Sequence, residues 1–302
     1  METQLNCIPC FIDDIIGGIN LIEKDDKIKK RLVSDIINYF AEEGIDYSKT
    51  PSYYITRVHR IIKKYYGKDN LFKDIRDKCN EVGLKLSEKI GKELATEDEI
   101  NRFKKLVKWA ITGNELDFRT VGTGYNLTLD DFYNILYKTY EIPLDIDESE
   151  KIHALLPKTD KILYVLDNVG EIAFDKLLIE FFVEKGKEVS VVYRGGAITS
   201  DIIIEDLDFV GISDMQVKTV LAGPDTLGIS FEEMSDELKK EIEQADMLIS
   251  KGQANYYEFS KHFKEINGEI INLLRTKCDF VSKKFGKSGK LGLAVILREE
   301  FI

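Results

Sequence analysis

The sequence predicts an α/β protein: a helical N-terminal part, residues 1–145, followed by a doubly wound α/β domain with a mostly parallel sheet, residues 146–302. Three observations predict it. Before about residue 145, apolar residues recur every three or four positions, the period of helices packed by one face. After it, short apolar runs alternate with helical stretches, the pattern of strand–helix–strand units. Polar residues gather where the predicted strands end, the edge at which open α/β sheets bind ligands.

In the first half, Ile12, Ile15, Ile16, Ile19 and Ile22 form one stripe, and Ile28, Leu32, Ile36, Ile37 and Phe40 form a second. Pro51-Ser52 opens a third helix, to about Tyr66, with Ile55, Val58, Ile61 and Ile62 on its face. Asn70 is placed to cap a long helix reaching Ile90. Thr96-Glu97-Asp98-Glu99 resembles a capping box ahead of a helix carrying Leu106, Val107, Ala110 and Ile111. Residues 129–140 read as another helix, residues 145–151 as an acidic loop, and no strand is predicted before about Ile162.

The second half is organised around residues 161–201. The run Ile162-Leu163-Tyr164-Val165-Leu166 is a buried strand that stops at Asp167-Asn168-Val169-Gly170; Ile172, Leu177, Leu178, Phe181 and Phe182 then follow helical spacing, and Val189-Ser190-Val191-Val192-Tyr193 is the next strand. Asp201 follows that strand after Arg194-Gly195-Gly196 and, in a parallel sheet, returns to the same edge as Asp167. The complete set of predicted strands is 162–166, 188–193, 216–221, 247–250, 269–274 and 291–297, with helices at 171–185, 202–210, 231–244, 255–263 and 278–285.

Composition excludes several classes. The chain has 302 residues, 43% hydrophobic and 32% charged, as globular proteins have. Its 54 acidic residues against 43 basic give a formal charge of -11, opposite to the cationic footprint that nucleic acids and anionic membranes require. No apolar run reaches membrane-spanning length and the N-terminus has no signal-peptide character, so a cytoplasmic location is expected. Four cysteines with one close pair do not make a secreted disulfide framework.

Chemistry concentrates at the predicted strand ends. Asp167, Asn168 and Asp201 offer carboxylate and amide oxygens suited to a hard divalent cation, although an Asp at a strand end also serves as a helix cap. The Gly170-Glu171 helix start adds backbone amides suited to phosphate oxygens. Ser250-Lys251-Gly252-Gln253-Ala254-Asn255 ends another strand at the same edge; Lys251 is placed to neutralise a phosphate and Gly252 to allow close backbone approach, the plain alternative being a solvated loop capped by Asn255. Asn114 and Asp117, in the polar Gly113-Asn114-Glu115-Leu116-Asp117-Phe118 break, either cap a helix or reach into the site from the helical half. Lys277 adds a positive charge at a later strand end. Cys7-Ile8-Pro9-Cys10 is half of a zinc motif without its second half, and packing at the first helix is the simpler role. His59, His153 and His262 are scattered, expected on the surface, and given no role. There is no P-loop, no G-x-G-x-x-G after the first strand and no nucleophile elbow. A phosphoaspartate mechanism would want an acid where Val169 stands.

Asp167-Asn168-Val169-Gly170-Glu171-Ile172 together with Lys251-Gly252-Gln253-Ala254-Asn255 resembles the metal-dependent damage-control phosphatases, whose domain is shared with a eukaryotic protein described as an acidic-residue methyltransferase. The resemblance extends to Cys7-x-Pro9-Cys10, to Asn114-x-x-Asp117-Phe118 and to Lys277-Cys278, and is narrowest with the compact archaeal branch. It implies a helical N-terminal part packed on an α/β/α domain with a Rossmann-like sheet. It also implies a divalent metal (magnesium, manganese, cobalt or nickel) held by Asp167, Asn168 and Asp201, with Lys251 near the substrate phosphate. Where the family often carries Asn-Asp, this chain has Ser200-Asp201.

The expected function is therefore hydrolysis of small phosphorylated metabolites, such as sugar phosphates, nucleotides or phosphopantetheine-like compounds. Asp167, Asn168, Asp201 and Lys251 are the candidate catalytic residues; Asn114, Asp117, Gly170, Glu171, Arg194, Gly252, Gln253 and Asn255 are the candidate substrate-binding set. The loops 122–125 and 223–228 are expected to shape the pocket. The alternatives are an S-adenosylmethionine-dependent methyltransferase and a non-catalytic metabolite-binding protein. The first wants a glycine-rich turn and an acidic residue ending the second strand, where Tyr193-Arg194 stands. The second predicts ligand binding without metal. Oligomeric state is left open.

Overall fold

The computed structural model describes residues 1–118 and 129–302. Five helices open the chain: α1 (Cys7–Ile22), α2 (Asp26–Glu43), α3 (Pro51–Tyr66), α4 (Lys73–Leu94) and α5 (Glu99–Thr112). Asp25 and Asp98 cap α2 and α5 by accepting backbone N–H bonds from Lys27 and Asn101. Asn70 does not cap α4, which starts three residues later behind Phe72. The helix α6 (Leu129–Glu141) matches its expected span, while the turn Gly122-Thr123-Gly124 and the loop 122–125 lie outside the described residues.

The sheet contains a strand the sequence reading missed. β1 (Ile146–Asp147) lies where an acidic loop was expected, followed by α7 (Ser149–Leu155). Two residues are too few to show a period, and β1 exists only through its pairing with the last strand, β7 (Gly292–Ile296). The flanking Asp145 and Glu148 amides donate at 2.8 Å to the Gly292 and Ala294 carbonyls. Between them run β2 (Lys161–Val165), α8 (Ile172–Glu184), β3 (Glu188–Tyr193), α9 (Ile204–Val210), β4 (Lys218–Leu221), α10 (Asp236–Gln244), β5 (Met247–Lys251), α11 (Gly252–Lys261), β6 (Glu269–Arg275) and α12 (Asp279–Lys284). α10 begins five residues later than expected, because the Ser235 hydroxyl accepts from Leu238 N and fixes the start there.

Strand order is β1-β7-β6-β5-β2-β3-β4, parallel from β6 through β4 and antiparallel at β6–β7. The chain builds outward from β2 through β3 to β4, then returns to place β5 on the other side of β2. The crevice beyond the carboxyl ends of β2 and β5 is therefore the topological switch point of the sheet. One apolar cluster joins α4 and α5 to α8 and one sheet face, with Leu86, Phe103, Phe174 and Ile249 fully buried. A second, including Val165, Tyr256 and Phe259, fills the opposite face. A third, of Ile15, Ile19, Leu32, Ile36, Val58 and Ile62, holds α1, α2 and α3 together.

Candidate active site

Asp167 and Asn168 leave the carboxyl end of β2 at the switch point. The chain comes back to them after β3: Asn168 and Asp201 form an isolated antiparallel bridge, with Val169 N donating to Ser200 O at 2.9 Å and Ile202 N to Asp167 O at 3.2 Å. Asp167, Asn168 and Asp201 are thus brought together, as the sequence predicts. All three are buried.

Their orientations are fixed from several elements. The Asn114 amide, in the 3-10 turn after α5, donates to Asp167 Oδ2 at 3.3 Å and Glu171 Oε2 at 2.9 Å. The Asn168 amide bonds the same two carboxylates, and Ser200 Oγ donates to Asn168 Oδ1 at 2.8 Å. Asp201 Oδ1 accepts from Gly228 N and lies 3.6 Å from Arg194 Nε. Arg194 in turn donates to the carbonyls of Gly228 (2.8 Å) and Leu166 (3.1 Å) and to Asn255 Oδ1 (2.9 Å). Gly252 closes the arrangement with φ +73°, and a β-carbon there would stand 1.8 Å from Asp167 Oδ2.

Several expected residues sit elsewhere than facing a ligand. Lys251, expected beside the substrate phosphate, ends β5 with no exposed surface; its ammonium donates to Ala110 O at 2.8 Å, to Asp175 Oδ1 at 2.7 Å and to Glu171. Arg194, Glu171 and Asn255 are likewise buried behind the strand ends. Asn255 is no helix cap but an interior residue of α11, whose amide binds Leu166 O at 3.0 Å and Lys251 O at 2.8 Å. The Gly170 N–H, expected to face phosphate, donates to Asn80 Oδ1 at 2.8 Å. His59, expected on the surface, is 1% exposed, with Nε2 2.9 Å from Asp14 Oδ2.

A cavity of about 680 Å³ opens onto Asp167, Asn168, Thr199, Gln253 and Lys277, and its far wall is α1 with Cys7 and Cys10. Gln253 accepts from Lys277 N at 2.7 Å, and Lys277 Nζ donates to the buried Asp117 Oδ2 at 3.0 Å. Of the expected binding set, Gln253 lines this cavity, Asp117 meets it through Lys277, and Asn114 through Asp167.

Burial drives the Asp167 carboxyl well above its ordinary range, reinforced by the charges of Glu171 and Asp201 and by Asp117, and opposed by Lys277. Burial also raises Asp175, to about 7, against the pull of Lys251, while Tyr164 OH donates to it at 2.6 Å. For Lys251, the Asp175 and Glu171 charges outweigh the burial that would lower it. The single cation Lys251 pairs with both Glu171 and Asp175, and Lys277 pairs with Asp117, while Glu171 and Asp201 remain like-charged neighbours of Asp167. A cation would relieve that repulsion. The donors are carboxylate and amide oxygens, which fit a hard divalent ion that keeps water or substrate in its remaining positions. Among the described residues no three His, Cys, Asp or Glu side chains converge as a closed cage, so Asn168 would be needed beside the two aspartates.

The damage-control phosphatase ARMT1-like domain matches residues 3–291 of this sequence. The chain belongs to that family. Within it, the chain is 32% identical to an uncharacterized protein of Methanocaldococcus jannaschii over 95% of this chain and 92% of that one. It is 28% identical to a damage-control phosphatase of Archaeoglobus fulgidus, covering 95% of this chain and 96% of the other. The crystal structure of a duf89 family protein from Pyrococcus horikoshii superimposes with a TM-score of 0.83 at 27% identity, covering 97% of this chain and 99% of that one. The family fold thus accounts for the helical part as well as the sheet.

Asp175, Tyr164, Arg60 and Asp225 belong to the surroundings of this candidate site, and the sequence does not single them out. Asp175 did carry a signal, as an acidic residue between Phe174 and Leu178 on an otherwise apolar helix. Asp225 carried none.

Proposed function

We propose that the chain is a divalent-metal-dependent phosphomonoester hydrolase acting on small phosphorylated metabolites. The observation that carries this reading is the convergence of Asp167, Asn168 and Asp201 at the sheet switch point, where Asp167 and Asn168 line a cavity that also presents Lys277 and Asp201 lies directly behind them. Asp167, Asn168 and Asp201 would hold the cation. When bound, such an ion polarises a phosphoryl oxygen and makes its water more acidic. Lys277, with a side chain 40% exposed, offsets charge on the phosphoryl oxygens from the cavity side. Asn114 holds the Asp167 carboxylate in place, while Arg194 and Gly228 do the same for Asp201. Lys251 bridges Glu171 and Asp175 beneath the floor, and Gln253 positions the Lys277 backbone.

A methyltransferase is disfavoured by the same residues. The turn after β2 has Gly170 alone, and the end of β3 holds the buried cation Arg194 where a ribose would need an acid.

Phosphate release from phenyl phosphate, in chelator and then with magnesium, manganese, cobalt or nickel, tests the proposal. Metal-restored turnover that Asp167→Ala and Asp201→Ala abolish is the expected result. Folded protein that turns over no phosphomonoester with any of the four ions would sink it.

A further inference from the structure

The cavity that ends on Asp167 is larger and more apolar than a phosphate group requires. At about 680 Å³ it falls in the range of pockets that enclose a drug-sized ligand, and a triose or hexose phosphate would leave most of it to water. Away from the sheet edge its walls are Phe11 of α1, Ile55 of α3, Phe72, Phe118, Leu227 and Phe280. Several polar groups among these walls are already engaged, while Asn6, Asp13 and Asn20 lie at the exposed α1 side of the cavity. Asp14 meets His59 Nε2 at 2.9 Å, the Gln253 amide bonds Tyr257 and Lys277 N, and Asp279 Oδ1 accepts from Gly289 N at 2.8 Å. Against the six apolar side chains the hydroxyls of a sugar would find no partner, whereas an apolar body gains by leaving water.

Charge narrows the ligand further. Among the described lining residues Lys277 is the sole Lys or Arg, and it stands on the floor beside Asp167; Asp13, Asp14 and Asp279 lie around the rest of the lining. A second anionic group on the ligand would meet those carboxylates without a counter-charge.

We propose that the substrate is the phosphomonoester of a bulky apolar alcohol, aromatic or branched, carrying a single anionic group, in preference to sugar phosphates and nucleotides. The proposal rests on the phosphatase reading above. The phosphate lies on the floor by Asp167, Asn168 and Lys277, and the hydrocarbon body lies between Phe11, Ile55 and Leu227.

Turnover of phenyl, 1-naphthyl and geranyl phosphate is compared with that of glucose 6-phosphate, fructose 1-phosphate and AMP. From phenyl to 1-naphthyl phosphate kcat/KM rises about tenfold or more, as an added apolar group in a fitted pocket gives, and the sugar phosphates and AMP fall below both. In Ile55→Asp and Leu227→Asp that naphthyl-over-phenyl ratio drops by about tenfold, with circular dichroism reporting the fold of each variant. Calorimetry with non-hydrolysable 1-naphthylmethylphosphonate keeps the two readings apart. Binding without turnover of any ester overturns the phosphatase reading and leaves the apolar subsite standing. A sugar phosphate or AMP that matches 1-naphthyl phosphate, an unchanged ratio in a folded variant, or absence of phosphonate binding overturns the present proposal.

Discussion

Arg60 Nε donates to Asp225 Oδ1 at 2.9 Å, and through this contact α3 of the helical half holds a loop that shapes the site. Arg60 Nη2 also binds Asp225 O and Glu233 Oε2, each at 2.9 Å, Lys63 reaches the other Asp225 oxygen, and Leu227 N donates to Thr56 Oγ1 at 2.9 Å. Three residues beyond Asp225, Gly228 gives its N–H to Asp201 and its carbonyl to Arg194. The expected pocket loop 223–228 is therefore a strut for Asp201, and Leu227 is the part of it that faces the cavity.

Asp225→Ala releases that strut. The side chains of Asp225, Arg60 and Lys63 are 20%, 26% and 11% exposed, so leaving these cations without Asp225 costs roughly 1–3 kcal/mol and lowers Tm measurably. Manganese affinity should fall about tenfold, since a ligand moved by about an ångström loses that much or more. Calorimetric titration of manganese into both proteins decides it, and equal affinities would show that the loop does not set Asp201.

Gly252 and Gly286 make a matched pair. Both have positive φ, +73° and +71°, but a β-carbon at Gly252 strikes the Asp167 carboxylate whereas one at Gly286 meets nothing within 4 Å. Both Ala variants should lose roughly 1–2 kcal/mol from the strained backbone. Gly252→Ala alone should lose about 100-fold or more in turnover. Equal activities in the pair would mean that Asp167 does not need its present position.

Lys251 and Lys277 separate stability from ligand contact. Lys251→Ala leaves Glu171 and Asp175 buried without their cation, which costs roughly 3–5 kcal/mol. Chemical denaturation should show it directly. Lys277, whose side chain is 40% exposed but whose partner Asp117 is buried, should cost less as Lys277→Ala, roughly 1–3 kcal/mol, while lowering kcat/KM. A Lys251→Ala protein of normal stability with weakened substrate binding would restore the role expected from its sequence motif.

Metal binding should depend on pH through Asp167. In the metal-free protein its folded pKa is raised above the ordinary 3.8. Its contribution to stability is therefore fully present below about pH 4 and lost as pH rises through the raised value. A cation displaces that proton, so affinity should increase with pH and binding should release protons. The gain in Tm from manganese should be larger at pH 8 than at pH 5. A gain independent of pH would exclude Asp167 as a ligand that titrates on binding.

The helices and the parallel strands were legible in the sequence because each buries a face, and burial leaves a period of 3.6 or 2 in the order of residues. β1 left none, since its two residues owe their conformation to β7 alone. Asp167, Asn168 and Asp201 were legible for a topological reason: in a parallel sheet, strand ends share an edge, so residues 34 positions apart are foreseeably neighbours.

What the sequence by itself determined, then, is the set of chemical groups and the edge at which they meet. Only the tertiary structure decided which of them face a ligand. Lys251 and Lys277 both lie at the carboxyl ends of strands and read alike as cations at the ligand edge. Packing of α5 and α8 over β5 encloses the first among Ala110 O, Glu171 and Asp175, while the second follows β6 and reaches the cavity. The Asp225 strut and the apolar wall of α1 and α3 depend on contacts between residues more than 150 positions apart. No local pattern encodes such contacts, because the energy that fixes them is shared between segments that meet only when the chain has folded.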